Sequence, residues 1–440
     1  MEISKILLIV PSTNKVWKKE LKNKIGTAPL GVAIISSVLR FQGYEVKMID
    51  MLVEHSTPAD IKQYIEEFKP DVIGVSASYT ESINITYKII KYIKKITNVK
   101  LIAGGVHVTF RPEEALQSGF DYVILHEGEA TWIELLEYMK AESTCFDQIE
   151  GIAFMRDGQF HMNKARDFIT ELDALPFPDL LSLPLEEYVT PLALITSRGC
   201  PGDCIYCSSR AMSGKRYRMR SAESVFSEVF YFSNFILYDK RLVKSYLAIY
   251  DDTFTVNKTR LNRFCDYMIS SGFNLIPWKC ESRIDILNEE IIKKMKEAGC
   301  FALHVGVESS DQDIINSLNK HIKISKVEEI LALLKKYEIR PLCSFIIGNH
   351  KDTKETLDKT FAYIKHIIRD YGAQVATSPN TPLPGTSLYE HASDYNIQIH
   401  SDNWDDFSLM KVILSTEYLS TEDIRDACYS IVKEINEIGG

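Results

Sequence analysis

The sequence predicts an α/β protein: a doubly wound parallel sheet, a second series of strands and helices, and a small C-terminal helical segment. From Lys5 to about Tyr138, short apolar runs alternate with amphipathic stretches, and the same alternation resumes at Leu192. Such alternation is typical of parallel sheets covered by helices. A proline-containing stretch near Leu175–Asp179 separates the two series. At 440 residues the chain is also too long for one ordinary core.

The first series predicts five strands with helices between them. Apolar runs bounded by turn residues are typical of buried strands, and longer amphipathic stretches are typical of helices. The predicted strands are 6–10, 43–50, 71–76, 100–105 and 122–125, and the predicted helices are 31–42, 58–68 and 82–96. This part is predicted to be Rossmann-like, with ligands at the carboxyl ends of its strands.

Two of those strand ends carry small and polar residues. Gly104 and Gly105 permit close approach of a backbone to a ligand, and Ser76 and Ser78 offer hydroxyls. His107 follows at the same strand end. The sequence lacks Gly-x-Gly-x-x-Gly, which disfavours a dinucleotide.

We divide the chain into four parts: 1–145, a linker and hairpin at 146–185, the catalytic half at 186–390, and a C-terminal segment at 391–440. Asp157-Gly158 supplies the tight turn of a hairpin over 151–160. The last part is acidic, with a helical pattern over 421–438. It either closes the mouth of the catalytic half or only packs against it.

The catalytic half contains six apolar runs that predict strands, with helices predicted over 259–272, 288–299 and 325–338. The runs are 192–196, 245–250, 277–280, 301–307, 342–347 and 374–377. Polar residues follow these runs: Asp251 and Asp252, then Ser282 and Arg283, then Glu308. Adjacent acids form a metal site or act as acid and base in some enzymes. Because neighbouring strand residues point to opposite sides, one acid facing the interior is the simpler interpretation.

Three cysteines, Cys200, Cys204 and Cys207, lie in one short loop directly after the first of these strands. Soft thiolates are the usual ligands of iron–sulfur clusters, and three of them leave one corner of a four-iron cluster open. A zinc site would need a fourth ligand at a second paired spacing, which is missing. A disulfide framework is disfavoured because nine cysteines are spread thinly over the chain. The other six are interpreted as small buried hydrophobic residues in a protein of a reducing compartment.

The pattern Cys-x-x-x-Cys-x-x-Cys after a strand, with Tyr206 just before the last cysteine, resembles the radical S-adenosylmethionine (radical SAM) enzymes. The resemblance implies a partial (β/α)6 barrel, a 4Fe–4S cluster held by the three cysteines, and S-adenosylmethionine at the open iron. One electron then cleaves that cofactor to a 5′-deoxyadenosyl radical. Further motifs resemble the subfamily with an N-terminal cobalamin-binding domain: Pro29–Arg40, Gly104–His107, Glu127-Gly128-Glu129, Asp251–Phe254, Gly306–Ser309 and Pro382–Thr386.

The resemblance also implies roles for single residues. Tyr206 would contact adenine, and Asp251 or Asp252 the methionine ammonium. By side-chain chemistry Arg283 suits a carboxylate and Glu308 suits hydroxyls or an ammonium, and Ser282 is a further predicted cofactor contact. The alternative is a structural ion pair at the barrel rim. In the first domain the cobalamin contacts would come from the strand-end and loop residues Ser76, Ser78, Gly104, Gly105, His107, Glu127 and Gly128. His107 has an equal alternative as a capping residue.

Cobalamin would be bound base-off without a histidine ligand, because no Asp-x-His-x-x-Gly occurs in the sequence. The implied reaction is methyl transfer to an unactivated carbon of a small molecule or natural product, with flavodoxin or ferredoxin as electron donor. A cyclase or other radical rearrangement of the same fold is the main alternative, and a non-catalytic cofactor sensor is a second.

The overall charge argues against a nucleic-acid partner. The formal net charge is −9, although a basic stretch at Lys215–Arg220 is either a solvated loop or a phosphate-facing patch. A nucleic-acid modifier is therefore disfavoured. No apolar stretch is long enough to span a membrane, and no targeting segment is evident, so we expect a cytoplasmic location.

Overall fold

A computed structural model describes residues 3–12, 26–143, 145–238 and 246–439. The chain divides at Ala193/Leu194 into two compact units, each with its own sheet. The predicted fold class is confirmed, while the four-part division of the chain stays a prediction. Ser245, which begins one predicted strand, lies outside the described residues.

The first unit is built on a seven-stranded sheet in the order β2-β1-β3-β4-β5-β6-β7. The first five strands pair in parallel and the last two pairings are antiparallel. Its elements are β1 (Lys5–Val10), α1 (Leu30–Phe41), β2 (Glu45–Asp50), α2 (Pro58–Phe68), β3 (Val72–Ser76), α3 (Ile83–Ile96), β4 (Lys100–Gly104), α4 (Val106–Phe110), α5 (Pro112–Gln117), β5 (Tyr122–Ile124), α6 (Glu129–Lys140), β6 (Ile152–Arg156) and β7 (Gln159–Met162).

Local chemistry sets these boundaries. Thr57 and Asp60 form a reciprocal capping box at the start of α2, with Pro58 in its first turn. Gly74 lies under α6, where a Cβ atom would stand 2.8 Å from the Trp132 ring. The hairpin prediction is confirmed, but its strands extend the sheet through the β5–β6 pairing, which the turn motif did not predict.

The connector after β7 is fastened to the first unit by buried polar contacts. Tyr188 Oη donates to Asp50 at 2.8 Å, and Ser36 Oγ donates to Asp179 at 2.7 Å. The connector therefore belongs with the first sheet.

The second unit contains a six-stranded sheet in the order β15-β14-β13-β12-β11-β8, which confirms the predicted strand count. The pairings from β11 to β15 are parallel. Its elements are β8 (Leu192–Leu194), β9 (Ser197–Arg198), α7 (Ser209–Ser213), β10 (Arg218–Met219), α8 (Ala222–Tyr238), β11 (Leu247–Ile249), α9 (Lys258–Ser270), β12 (Trp278–Ser282), α10 (Glu289–Glu297), β13 (Cys300–Glu308), α11 (Gln312–Ser317), α12 (Ile324–Lys336), β14 (Arg340–Ile347), α13 (Lys354–Tyr371), β15 (Gln374–Pro379), α14 (Ser387–Glu390), β16 (Gln398–Ile399), β17 (Leu414–Ser415) and α15 (Thr421–Gly439).

The C-terminal segment packs on the carboxyl end of β14. A Cβ atom on Gly348, whose φ is +82°, would lie 2.8 Å from Ile424 of α15. Ile424 and Leu414 share one hydrophobic cluster with Ile205 of the cysteine loop. The packing role of this segment is thus established within the second unit.

Most of the six cysteines outside the loop are buried, and so are two arginines of the basic stretch. Cys265, Cys280, Cys300 and Cys343 are buried as predicted and Cys428 is half-buried, but Cys145 is exposed, so the interpretation was wrong for Cys145. It lies just before a one-turn helix at the surface rather than in an element facing the core. In the basic stretch Arg218 and Arg220 are buried, and Arg220 pairs with Glu228. None of the described helices is long and apolar enough to cross a membrane.

Candidate active site

The three cysteines occupy a loop that is shaped by glycine. Gly199 has φ +84°, and a Cβ atom there would collide with the Arg216 carbonyl. A Cβ atom on Gly202 would stand 3.4 Å from Cys200 Sγ and 3.9 Å from Cys204 Sγ, so those two thiols flank it. Cys207 N donates to Cys204 O at 3.1 Å and closes the turn. The loop thus holds the Cys200 and Cys204 thiols on either side of Gly202.

The charge balance of the loop fits an iron–sulfur cluster. Burial raises the pKa of the Cys200 thiol, and the neighbouring Asp252, Cys207 and Cys204 raise it further. Three thiolates here need a positive partner, which iron supplies. The described residues hold no group of three or more His, Cys, Asp or Glu side chains gathered around one metal position. A 4Fe–4S cluster does not require one, because each thiolate binds a different iron.

The two adjacent acids point to different surroundings. Asp251 is buried, and its carboxylate accepts from Thr196 N at 2.6 Å and Ser197 N at 3.0 Å. Arg260, also buried, lies 3.6 Å from the same carboxylate. Asp252 is exposed and accepts from Ser209 Oγ at 2.7 Å. Of the two acids that the sequence left open, Asp252 is therefore the one available to a ligand.

Ser209 joins Asp252 to the cysteine loop. The Cys207 thiol donates to Ser209 Oγ at 3.2 Å, and Ser209 N donates back to Cys207 Sγ at 3.4 Å. An acceptor for an ammonium group thus lies two hydrogen bonds from a candidate cluster ligand.

Arg283 reaches the other side of the loop. Its guanidinium donates to Asp285 at 3.0 Å and to Lys320 O at 2.9 Å, and it faces Gly202, where a Cβ atom would lie 3.4 Å from Nη1. Ser282 instead turns inward, with its hydroxyl 2.5 Å from Thr255 Oγ1.

Glu308 and Tyr206 meet in a buried contact with Lys320. Tyr206 Oη donates to Glu308 Oε1 at 3.0 Å, and Lys320 Nζ lies 2.6 Å from the same oxygen. Burial and the Glu308 charge raise the pKa of Tyr206 well above its usual value, so it stays a phenol. The sequence left open whether these residues form a structural ion pair. Glu308 does form one, with Lys320.

In the first unit, the ends of β3 and β4 approach closely. Gly105 has φ +123°, and a Cβ atom there would collide with the Ser78 side chain and stand 3.0 Å from its backbone N. Ser76 and Ser78 hydroxyls lie 3.3 Å apart. A Cβ atom on Gly104 would meet nothing within 4 Å, so this glycine borders open space. The bare backbone suits a large, flat cofactor such as cobalamin.

The other residues predicted to contact cobalamin are His107, Glu127 and Gly128, and each of them makes contacts within the first unit. His107 is 1% exposed, with Nδ1 3.1 Å from Thr80 Oγ1. Burial, with a smaller contribution from Arg111, lowers its pKa to about 4, so it is neutral. Glu127 accepts from Ile169 N at 2.8 Å, and Gly128 precedes α6, close to Ile124. Their contact with a cofactor stays a prediction.

Comparison with known proteins identifies the family. A B12 binding domain model matches residues 26–136, and a radical SAM superfamily model matches residues 194–364. A protein of Pyrococcus horikoshii described as an uncharacterized methyltransferase is 33% identical over 433 residues, covering 96% of this chain and 90% of that protein. The chain belongs to the cobalamin-dependent radical SAM enzyme family.

Two further similarities add detail to this radical SAM enzyme. An anaerobic magnesium-protoporphyrin IX monomethyl ester cyclase of Cereibacter sphaeroides is 24% identical over 418 residues, covering 90% of this chain and 65% of that protein. The radical S-adenosylmethionine methyltransferase TsrM of Kitasatospora setae, solved with cobalamin and a 4Fe–4S cluster bound, has a TM-score of 0.77 at 13% identity. That match covers 99% of this chain and 89% of that one, and it shows the shared fold.

Several residues that shape the site of this radical SAM enzyme carry no recognisable signal in the sequence. Lys320 lies in a loop between α11 and α12, and Arg260 occupies one position on the amphipathic helix α9. Neither belongs to a motif with a characteristic spacing. Ser209 likewise carries no sequence signal, because its hydrogen bonds to Cys207 and Asp252 depend on tertiary structure.

Proposed function

We propose that this enzyme transfers a methyl group from cobalamin to an unactivated carbon of a small-molecule or natural-product substrate. The observation that carries the proposal is the presence in one chain of a B12-binding domain and a radical SAM domain with its three-cysteine loop. The description of the Pyrococcus horikoshii relative as a methyltransferase supports methyl transfer rather than another radical outcome.

The chain's own residues have distinct tasks in this proposal. The bound cofactors supply one-electron cleavage of S-adenosylmethionine, hydrogen abstraction and the methyl group. Cys200, Cys204 and Cys207 hold the cluster and leave one iron open. Asp252 receives the methionine ammonium, and Arg283, beside Gly202, supplies the positive charge for its carboxylate. The Ser282 hydroxyl contacts Thr255 inside the second unit, so Ser282 would support the site without facing the ligand.

The first domain would hold cobalamin base-off. Its strand ends offer the Gly104-Gly105 backbone and the Ser76 and Ser78 hydroxyls, and the buried, neutral His107 lacks the sequence context of a cobalt ligand. We place the reaction in the cytoplasm, with a flavodoxin- or ferredoxin-type protein as the electron donor. The free state of all nine cysteines supports a reducing compartment.

The test is anaerobic reconstitution with iron, sulfide and cobalamin, followed by dithionite and S-adenosylmethionine. We expect cluster and cobalamin absorbance, and we expect mass spectrometry to detect deoxyadenosine and S-adenosylhomocysteine. Cys200→Ala, Cys204→Ala or Cys207→Ala should abolish deoxyadenosine. The matched control is Cys280→Ala, which changes a buried cysteine in the same domain and should keep the cluster.

Three outcomes would contradict parts of this proposal. Deoxyadenosine without S-adenosylhomocysteine would favour a cyclase or another radical rearrangement. Bound cofactors without any S-adenosylmethionine cleavage would favour a sensor. Deoxyadenosine formation by the loop variants would refute the cluster assignment.

A further inference from the structure

A short segment outside the motifs, Leu318–His321, contacts four residues of the cysteine loop. Four consecutive loop residues, from 203 to 206, each meet one residue of this segment. The contacts are His321 Nε2 to Asp203 Oδ1 (3.3 Å), Cys204 Sγ to Asn319 O (3.8 Å), Ile205 N to Leu318 O (3.2 Å) and Lys320 Nζ to Tyr206 Oη (2.9 Å). The segment is therefore a second support for the loop, separate from β8.

Lys320 of this segment also forms an ion pair with Glu308. Its side chain is 11% exposed and that of Glu308 is 6% exposed, and their charged atoms lie 2.6 Å apart. Burying either charge without the other would strongly destabilise the fold. The two residues therefore act as one neutral unit.

The backbone conformation at Glu308 and the missing side chain at Gly306 leave room for this ion pair. Glu308 has φ +69°, a left-handed conformation that is costly for a residue other than glycine. At Gly306 a Cβ atom would collide with the Glu308 carboxylate and lie 2.5 Å from Lys320 Nζ. Glycine at 306 thus leaves the space that the pair occupies in this arrangement.

We propose that Lys320 is a positioning residue: it neutralises Glu308 next to the cysteine loop, holds Tyr206 of that loop in place, and thereby sets the reduction potential of the cluster. The inference rests on the proposed function, because it needs the cluster. Net charge near an iron–sulfur cluster and hydrogen bonds around it are main determinants of its potential. The pair contributes no net charge while both partners are present.

The test measures the reduction potential by redox titration followed by electron paramagnetic resonance, without S-adenosylmethionine. Lys320→Met leaves a negative charge and should lower the potential, whereas Glu308→Gln leaves a positive charge and should raise it. The double variant should return towards the wild-type potential. Lys320→Arg keeps the charge and should stay near wild type. A residue that only supports the fold would not give shifts of opposite sign.

The matched control removes another buried ion pair in the same domain. Arg220→Met breaks the pair with Glu228, so it should lower stability without moving the potential. Shifts of the same sign in both single variants, or no shift in either with clusters intact, would overturn the inference. If Lys320→Met does not fold, the reduction potentials of Glu308→Gln and Lys320→Arg still test the inference. Failure of the wild-type protein to assemble a cluster would instead refute the proposed function.

Discussion

Asp251 and Asp252 are adjacent, yet the structure predicts opposite consequences for the same isosteric change. The Asp251 carboxylate is buried and accepts two backbone hydrogen bonds and one from the Thr196 hydroxyl, next to the buried Arg260. Asp252 is exposed and accepts from Ser209. We expect Asp251→Asn to destabilise the fold and Asp252→Asn to weaken binding of S-adenosylmethionine.

The magnitudes follow from these contacts. An asparagine at 251 keeps an acceptor for the two backbone N–H groups, but it loses the charge that strengthens both bonds and leaves the Arg260 guanidinium without a counterion. Breaking a buried ion pair costs about 3–5 kcal/mol, and the retained acceptor reduces this to about 3 kcal/mol. At 252 one exposed hydrogen bond is weakened, for about 0.5 kcal/mol.

The assay follows the second unit alone. Cys280 and Cys343 are buried there, so a thiol reagent labels them only when this unit unfolds. Pulse labelling across a urea series, read by mass spectrometry of the cysteine peptides, gives the free energy of unfolding for each variant. The affinity for S-adenosylmethionine is measured separately on reconstituted protein. Equal stability losses in the two variants, or a silent Asp251→Asn, would refute this assignment.

Two further predictions concern single positions in each unit. Gly105→Ala should reduce cobalamin uptake and destabilise the first unit by about 1–3 kcal/mol, because a Cβ atom collides with Ser78 at φ +123°. Gly158→Ala, at φ +76° with nothing within 4 Å, is the control and should bind cobalamin normally in an absorbance titration. Burial raises the pKa of Asp352 to about 6. Stability from this group is thus present below its unfolded pKa and lost as pH rises through about 6, so from about pH 4 to 7 wild type should lose about 2 kcal/mol relative to Asp352→Asn. Urea unfolding at each pH measures this difference, and a flat or opposite trend would contradict it.

The strands were predictable because their signals are local. Apolar runs such as Ile6–Val10 and Leu342–Ile347 end at residues that break strands, and each proved to be a strand with bounds shifted by a residue or two. The cysteine loop was equally visible, since its spacing is itself the signal. The pairing of the hairpin with β5 could not be predicted, because a turn motif specifies the hairpin but not the strand beside it.

The contacts within the candidate site were harder to predict from the sequence, because they join residues far apart in the chain. Lys320 meets Tyr206 across 114 positions, and Arg260 meets Thr196 across 64. No periodicity marks such a pair. The division of tasks between Asp251 and Asp252 was foreseen only as alternation along a strand, and burial of the Asp251 carboxylate by Arg260 required the folded structure.

The central claim is methyl transfer driven by radical chemistry at the three-cysteine cluster. It is tested most directly by reconstituted protein given reductant, cobalamin and S-adenosylmethionine labelled in its methyl group. If the claim is right, both deoxyadenosine and S-adenosylhomocysteine form, cobalamin extracted from the protein carries the label, and Cys200→Ala forms no deoxyadenosine. Deoxyadenosine alone, with unlabelled cobalamin, would contradict it.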